Sequence, residues 1–162
     1  MIDENVTQID KEILDFLNQN GVGYEVRHHE PVYTSPQMAK YLETDEERIA
    51  KSMILKRSDG GYLLAVLPGR LKIDFARLAT ALGVEATSLA PIPEAEKLAK
   101  CPVGCVHPFG NLLGLRTYFE KHLLDNDYVF FNPGSHTRSV KISTSDLARL
   151  VEPAVLDFAK RP

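Results

Sequence analysis

The sequence predicts an α+β domain in which helices pack around a largely antiparallel sheet. Three observations predict it. The apolar runs "AKSMILKR" (50–57) and "YLLAVLP" (62–68) flank "SDGG", a hairpin signal. From residue 101 onward, strand-like runs follow one another: "CVHPFG", "LRTYFE", "DYVFFN" and "RSVKIS". Short segments with helical apolar spacing and helix-capping residues are interspersed with these strands.

In chain order, residues 7–19 ("TQIDKEILDFLNQ") predict a helix, with Ile9, Ile13, Leu14 and Leu17 near helical spacing and Asn20-Gly21 ending it. "GYEVRHH" predicts a first strand. "TSPQMAKYL" predicts a helix capped by Thr34 or Ser35, with Pro36 in its first turn. "TDEERI" reads as a short helix, and the hairpin follows. "LKIDFARLATALGV" is helical and closed at Gly83; "IPEAEKLA" is a second short helix. After the four later strands, "TSDLARLV" is a helix capped by Thr144 or Ser145. The unbroken apolar runs 62–67 and 128–131 are expected to be buried on both faces.

A chain of 162 residues suits one domain, 1–162, with no internal repeat or linker, and can bury a real core. No apolar run is long enough to span a membrane, and the acidic, amphipathic start lacks the build of a signal peptide, so the cytoplasm is the expected location. Two cysteines, Cys101 and Cys105, do not make a disulfide framework. A net charge of −3 argues against general nucleic-acid coating but leaves room for a local basic face, for which Lys51, Lys56, Arg57, Arg70 and Lys72 are candidates.

Two features point to chemistry. Lys51 opens an apolar strand, on the face of Met53 and Leu55, where a lysine can lay its stem over apolar neighbours and hold its ammonium in a cleft; a strand-end lysine that reaches out to water is the plainer reading. "GCVHPFG" (104–110) and "NPGSH" (132–136) are two glycine-cornered loops, each carrying a histidine. Such loops can offer backbone N–H groups to a developing oxyanion, and equally suit ordinary turns. Cys101, Cys105 and His107 form C-x3-C-x-H, with His136 as a possible fourth zinc ligand, but the spacing fits no standard knuckle, so no metal and no cofactor is expected. P-loop, G-x-S-x-G and G-x-G-x-x-G motifs are absent from the sequence.

The order of "AKSMIL", "YLLAVLPGRLKID", "GCVHPFG", "LRTYFEKHLL" and "NPGSHTRSVKIS" running into "SDLARLV" resembles the YbaK/prolyl-tRNA editing domain family, trans-acting aminoacyl-tRNA deacylases, over residues 22–152. The resemblance implies a mainly antiparallel, partly closed sheet flanked by helices. It implies Lys51 as the key catalytic residue. The family's G-x-x-x-P-x-G loop falls on Gly104, Pro108 and Gly110; its glycine-x-histidine element falls on Gly134 and His136; its threonine after the first strand is Thr34. His107, Phe109 and Ser135 are expected to line the same substrate pocket. Glu120 departs from the family's usual aspartate. The implied substrate is a small amino acid mischarged on the 3′ acceptor end of a tRNA, with tRNA-Pro the leading candidate and an aminoacyl-tRNA synthetase as a further candidate partner. The rival reading is a non-catalytic tRNA- or synthetase-binding module of the same fold.

Overall fold

The computed structural model describes residues 7–161. Helix α1 (Gln8–Gln19) starts at Thr7, whose hydroxyl accepts the Asp10 N–H at 3.1 Å while the Asp10 carboxylate accepts the Thr7 N–H at 3.3 Å. This reciprocal cap satisfies two otherwise unpaired donors. Strand β1 (Tyr24–His28) leads to α2 (Ser35–Leu42), capped by Thr34, and a 3-10 turn at Glu46–Arg48. The hairpin β2 (Ala50–Arg57) and β3 (Tyr62–Pro68) forms as the sequence predicts.

Helix α3 is shorter than the sequence suggests. It spans Phe75–Leu82, capped by Asp74 and closed by Gly83 at φ 72°. The preceding residues stay extended because they bond the C-terminal segment: Asp74 N–H donates to the Phe158 carbonyl and Lys160 N–H to the Lys72 carbonyl. Strand β4 (Thr87–Leu89), α4 (Ile92–Ala99), α5 (Gly110–Leu113), β5 (Arg116–Glu120), a 3-10 segment Lys121–Asp125, β6 (Tyr128–Phe131), β7 (Arg138–Ser143), α6 (Thr144–Val151) and β8 (Ala154–Leu156) complete the described chain. The cap of α6 is Ser143, one residue before those the sequence suggests, with its hydroxyl accepting the Asp146 N–H.

The strands form two sheets, ordered β1-β7-β6 and β4-β2-β3-β5-β8. Among the described residues, four of the six strand pairs are antiparallel; β3–β5 and β5–β8 are parallel, and an isolated bridge between Ile49 and Phe130 links the sheets. Strand β3 is buried on both faces, as its apolar run demands. Leu64 and Val66 enter the main core with α1 and the aromatic rings of Phe109, Phe119 and Phe131, while Leu63, Ala65 and Leu67 face a second core under α3. In β6, Val129 and Phe131 join the main core and Phe130 packs with Val32 and Met38.

One expected strand does not form. Residues 105–110 make a loop that runs into α5, and the local chemistry explains it. Gly104 sits at φ 92°, Pro108 brings no N–H to a ladder, and the Phe109 N–H donates to His107 Nδ1 instead of to a neighbouring strand. No helix among the described residues is long and apolar enough to cross a membrane.

Candidate active site

Strand β2 has a neighbour on one side along its length, but β4 covers its other side only at Leu55–Arg57. Beyond that point the edge of β2 opens onto a cavity of about 400 Å³. Helix α2 and the residues before it form one wall through Val32, Thr34 and Met38; α4 forms another through Ile92 and Ala95; Val103, Gly104 and Val106 close the third. The lining is mainly apolar, and this volume suits a short side chain with part of a nucleotide end.

Polar groups enter at a few points. Ile54 turns its carbonyl toward the β4 side, where it accepts the Ala90 N–H at 3.0 Å. Because groups on an antiparallel strand alternate in direction, the N–H and C=O of Ser52 point the same way, along the uncovered edge. The buried Ser52 hydroxyl has no hydrogen-bond partner among the described residues. Lys51 also lines the cavity, and its ammonium donates to the Gly69 carbonyl at 3.2 Å and to the Leu71 carbonyl. That leaves one of its three N–H donors without a partner among the described residues. Half-burial lowers the Lys51 pKa, opposed by Glu46 and assisted by Lys72.

The residues expected to form one site are only partly brought together. Lys51, Thr34 and Gly104 share the cavity wall. Thr34 is committed to capping α2, its hydroxyl accepting the Gln37 N–H at 3.3 Å. The Gly104 and Val106 amides donate to no acceptor among the described residues. His136 lies just behind the wall: its Nδ1–H donates to the Val32 carbonyl at 2.9 Å, and its ring centroid is 4.5 Å from that of Tyr33.

The remaining expected lining residues turn inward. His107, Pro108, Phe109 and Gly110 are buried, with Phe109 wedged between Phe16 and Phe131. Gly110 is needed for packing, because a Cβ there would lie 1.8 Å from Thr117 Oγ1. Gly134 and Ser135 both donate their N–H groups to the Asn132 side-chain oxygen, at 3.0 and 2.8 Å, so these donors are used inside the loop. A Cβ at Gly134 would fall 2.2 Å from Ile9 Cγ2, which fixes this glycine against α1.

Glu120 is fully buried and accepts the His122 N–H and Nδ1–H, capping the 3-10 segment after β5. The C-x3-C-x-H residues do not converge: among the described residues no three His, Cys, Asp or Glu side chains stand close enough to hold a metal. Burial pushes both thiols up to about 12 and His107 down to about 4. The site residues that sequence reasoning misses are Ser52, Asn132, Tyr33 and the α4 wall. Ser52 leaves a trace, a hydroxyl between Lys51 and the apolar run Met53–Leu55.

The fold and site define a class: a mixed-sheet domain with a small cavity at an uncovered strand edge, furnished with one cation and free amide donors. The family follows from comparison. The family model described as aminoacyl-tRNA editing domain matches residues 29–150, and the chain belongs to that family. The chain is 27% identical over 152 residues to the multifunctional Ser/Thr-tRNA deacylase ProXp-y of Escherichia coli (strain K12), covering 91% of each chain. It is 28% identical over 141 residues to the prolyl-tRNA editing protein ProX of Acetoanaerobium sticklandii, covering 84% of this chain and 86% of that one. A solved structure described as a candidate trans-editing enzyme for prolyl tRNA synthetase superposes with a TM-score of 0.85 at 20% identity, covering 96% of this chain and 99% of that one.

Proposed function

We propose that this protein is a trans-editing deacylase that hydrolyses the ester of a small amino acid mischarged on tRNA, with tRNA-Pro the first candidate, acting in the cytoplasm beside a synthetase that supplies the mischarged tRNA. The carrying observation is that Lys51, Gly104 and the uncovered edge of β2 line a single cavity of about 400 Å³. The aminoacyl side chain enters the apolar end between α2 and α4. The terminal nucleobase meets the exposed rim of Tyr33, Leu89, Ile92 and Val103, an apolar surface that suits stacking.

Lys51 holds the negatively charged end of the substrate through its free N–H, and the Gly104 and Val106 amides polarise the ester carbonyl. Water adds to that carbonyl, the ester C–O bond breaks, and the ribose oxygen leaves with a proton, giving a free amino acid and uncharged tRNA. The neighbouring ribose hydroxyl of the substrate serves as the proton relay, so the reaction needs no acid–base pair from the protein. A synthetase pocket separates side chains that differ by one methylene by only about 1–3 kcal/mol, so a second, size-limited pocket has work to do.

The test is release of amino acid from a panel of tRNAs mischarged with alanine, cysteine, serine or threonine. Lys51→Ala is expected to lower the rate about 100-fold or more with the melting curve still cooperative. Wild-type-like turnover in that variant removes Lys51 from the mechanism. Tight tRNA binding without release by the unaltered protein would make it a binding module.

A further inference from the structure

A second cavity, of about 610 Å³, lies between the 3-10 segment after β5, the start of α3 and the C-terminal strap. Among the described residues, five cations line it: Arg70, Arg77, Lys121, Lys160 and Arg161. The carboxylates lining it are Glu47, Asp125 and Asp157, so positive charge is in excess. Glu47 is already paired with Arg70. Three cations converge on one oxygen, Oδ2 of Asp157: Arg77 at 3.1 Å, Lys121 at 3.3 Å and Arg161 at 3.4 Å. His122 also borders the space, but its Nδ1 is turned to the buried Glu120.

The fold builds this arrangement. The strap 157–161 is held along residues 72–74 by the Asp74–Phe158 and Lys160–Lys72 backbone bonds, and Arg77 Nη1 donates to the Ala159 carbonyl at 2.8 Å. One carboxylate oxygen cannot neutralise three converging cations, and their remaining N–H donors are left to serve the cavity. We propose that this cavity is an anion site for a phosphate group, lined by residues separate from those of the deacylase cavity; only its tRNA-backbone form rests on the deacylase reading. Arginine forks and a lysine set around a concave space match the charge and acceptor-only chemistry of phosphate oxygens. The loop carrying Arg70 and Leu71 is shared: Leu71 lines this cavity while its carbonyl accepts from Lys51 at the other. The phosphate can therefore belong to a tRNA backbone reaching past the first cavity or to a free phosphorylated molecule.

The experiment is a titration of the full chain with inorganic phosphate at low ionic strength, followed by the NMR signals of residues 121–122, 157–161 and the Arg77 side chain. The comparison variant is Lys121→Ser with Arg161→Ser, whose side chains are 53% and 73% exposed, so that the fold is expected to tolerate both changes. Saturable shifts at these positions, weakened about tenfold or more in the double variant, are expected. Uncharged tRNA is the second arm. If tRNA displaces phosphate, and the double variant flattens the slope of log affinity against log salt by roughly 0.7–0.9 for each phosphate it no longer neutralises, the ligand is the tRNA backbone. If phosphate shifts the signals and tRNA does not compete, the ligand is a free phosphate compound; either result upholds the site. Absence of phosphate-dependent shifts here, or equal affinity in the double variant, overturns it. None of these readouts uses an aminoacyl ester, so failure here is distinct from failure of the deacylase reading.

Discussion

The two glycine–histidine loops share a pattern in sequence and part ways in space. In 104–110 the first glycine stands at the cavity wall with an unpaired amide, and the chain beyond it sinks into the core as far as Phe109. In 132–136 the order is reversed: Asn132 reaches the wall, Gly134 is pressed against α1, and the histidine returns toward the surface to hold Val32. Glycine is required at both for different reasons. At 104 it permits φ 92° with ordinary spacing around the missing Cβ, and at 134 it permits both φ 112° and a close approach. A motif can thus mark where backbone geometry is unusual without saying whether that geometry serves packing or a ligand.

The sharpest way to break this contrast is to add a methyl group at each buried glycine. Gly134→Ala combines a backbone conformation closed to alanine with a Cβ only 2.2 Å from Ile9 Cγ2. Strain and overpacking together should cost about 3 kcal/mol or more, a large share of the roughly 5–15 kcal/mol that holds a domain folded. Gly110→Ala should fail by packing alone, and Thr117→Ala in the same chain should restore part of the stability, because Thr117 Oγ1 is the nearest clash. Urea unfolding of the three variants measures this; a Gly134→Ala protein of wild-type stability would show that α1 does not pin the loop.

His107 sharpens the contrast through pH. It is fully buried, its Nδ1 accepts the Phe109 N–H at 3.1 Å, and its Nε2 has no partner among the described residues. Burial, with a smaller push from Lys100, lowers its pKa from 6.5 to about 4. Above pH 6.5 the ring is neutral in both folded and unfolded chains and adds no pH dependence. Below 6.5 the unfolded chain takes up a proton that the fold refuses, so stability falls by about 1.4 kcal/mol per pH unit until the folded ring also protonates near 4. His107→Asn keeps an acceptor for the Phe109 amide and removes the titration. Its unfolding free energy should lose about 3 kcal/mol less than wild type between pH 6.5 and 4. Parallel curves for the two proteins would mean that His107 is protonated, and paired, inside the fold.

Much of this architecture is legible in the sequence. The hairpin, β3 buried on both faces and α2 capped at Thr34 follow from local spacing and turn chemistry, which act over a few residues. The misses have a common cause. The apolar run at 105–110 suggests a strand, but its apolar residues are buried as a loop folded back on its own histidine. Strands β4 and β8 are three residues each and exist because neighbours offer them an edge. Ser52 and the α4 wall become part of a site only through the gap that short β4 leaves along β2. Those relations lie between distant segments, where sequence spacing carries no information.

Gly104→Ala is the mildest change and tests the functional half of the contrast. A Cβ at 104 would meet the Tyr33 carbonyl at 3.6 Å and His136 Cε1 at 3.9 Å, which are ordinary contacts, so no overpacking is expected. What remains is the backbone: φ 92° is unfavourable for alanine, and relaxing it costs about 1–2 kcal/mol or rotates the peptide. Either response moves the amides of Gly104 and Val106 relative to Lys51 and the open edge of β2, whereas the core beneath, anchored by Phe109, is untouched. The folded population should survive, with a melting temperature only a few degrees lower, while deacylation of a mischarged tRNA falls about tenfold or more through kcat with little change in KM. A loss confined to KM would assign the loop to substrate holding alone. An unchanged rate would mean that the ester carbonyl is polarised from elsewhere along the cavity, with the Ser52 N–H on the uncovered edge of β2 the next donor to test.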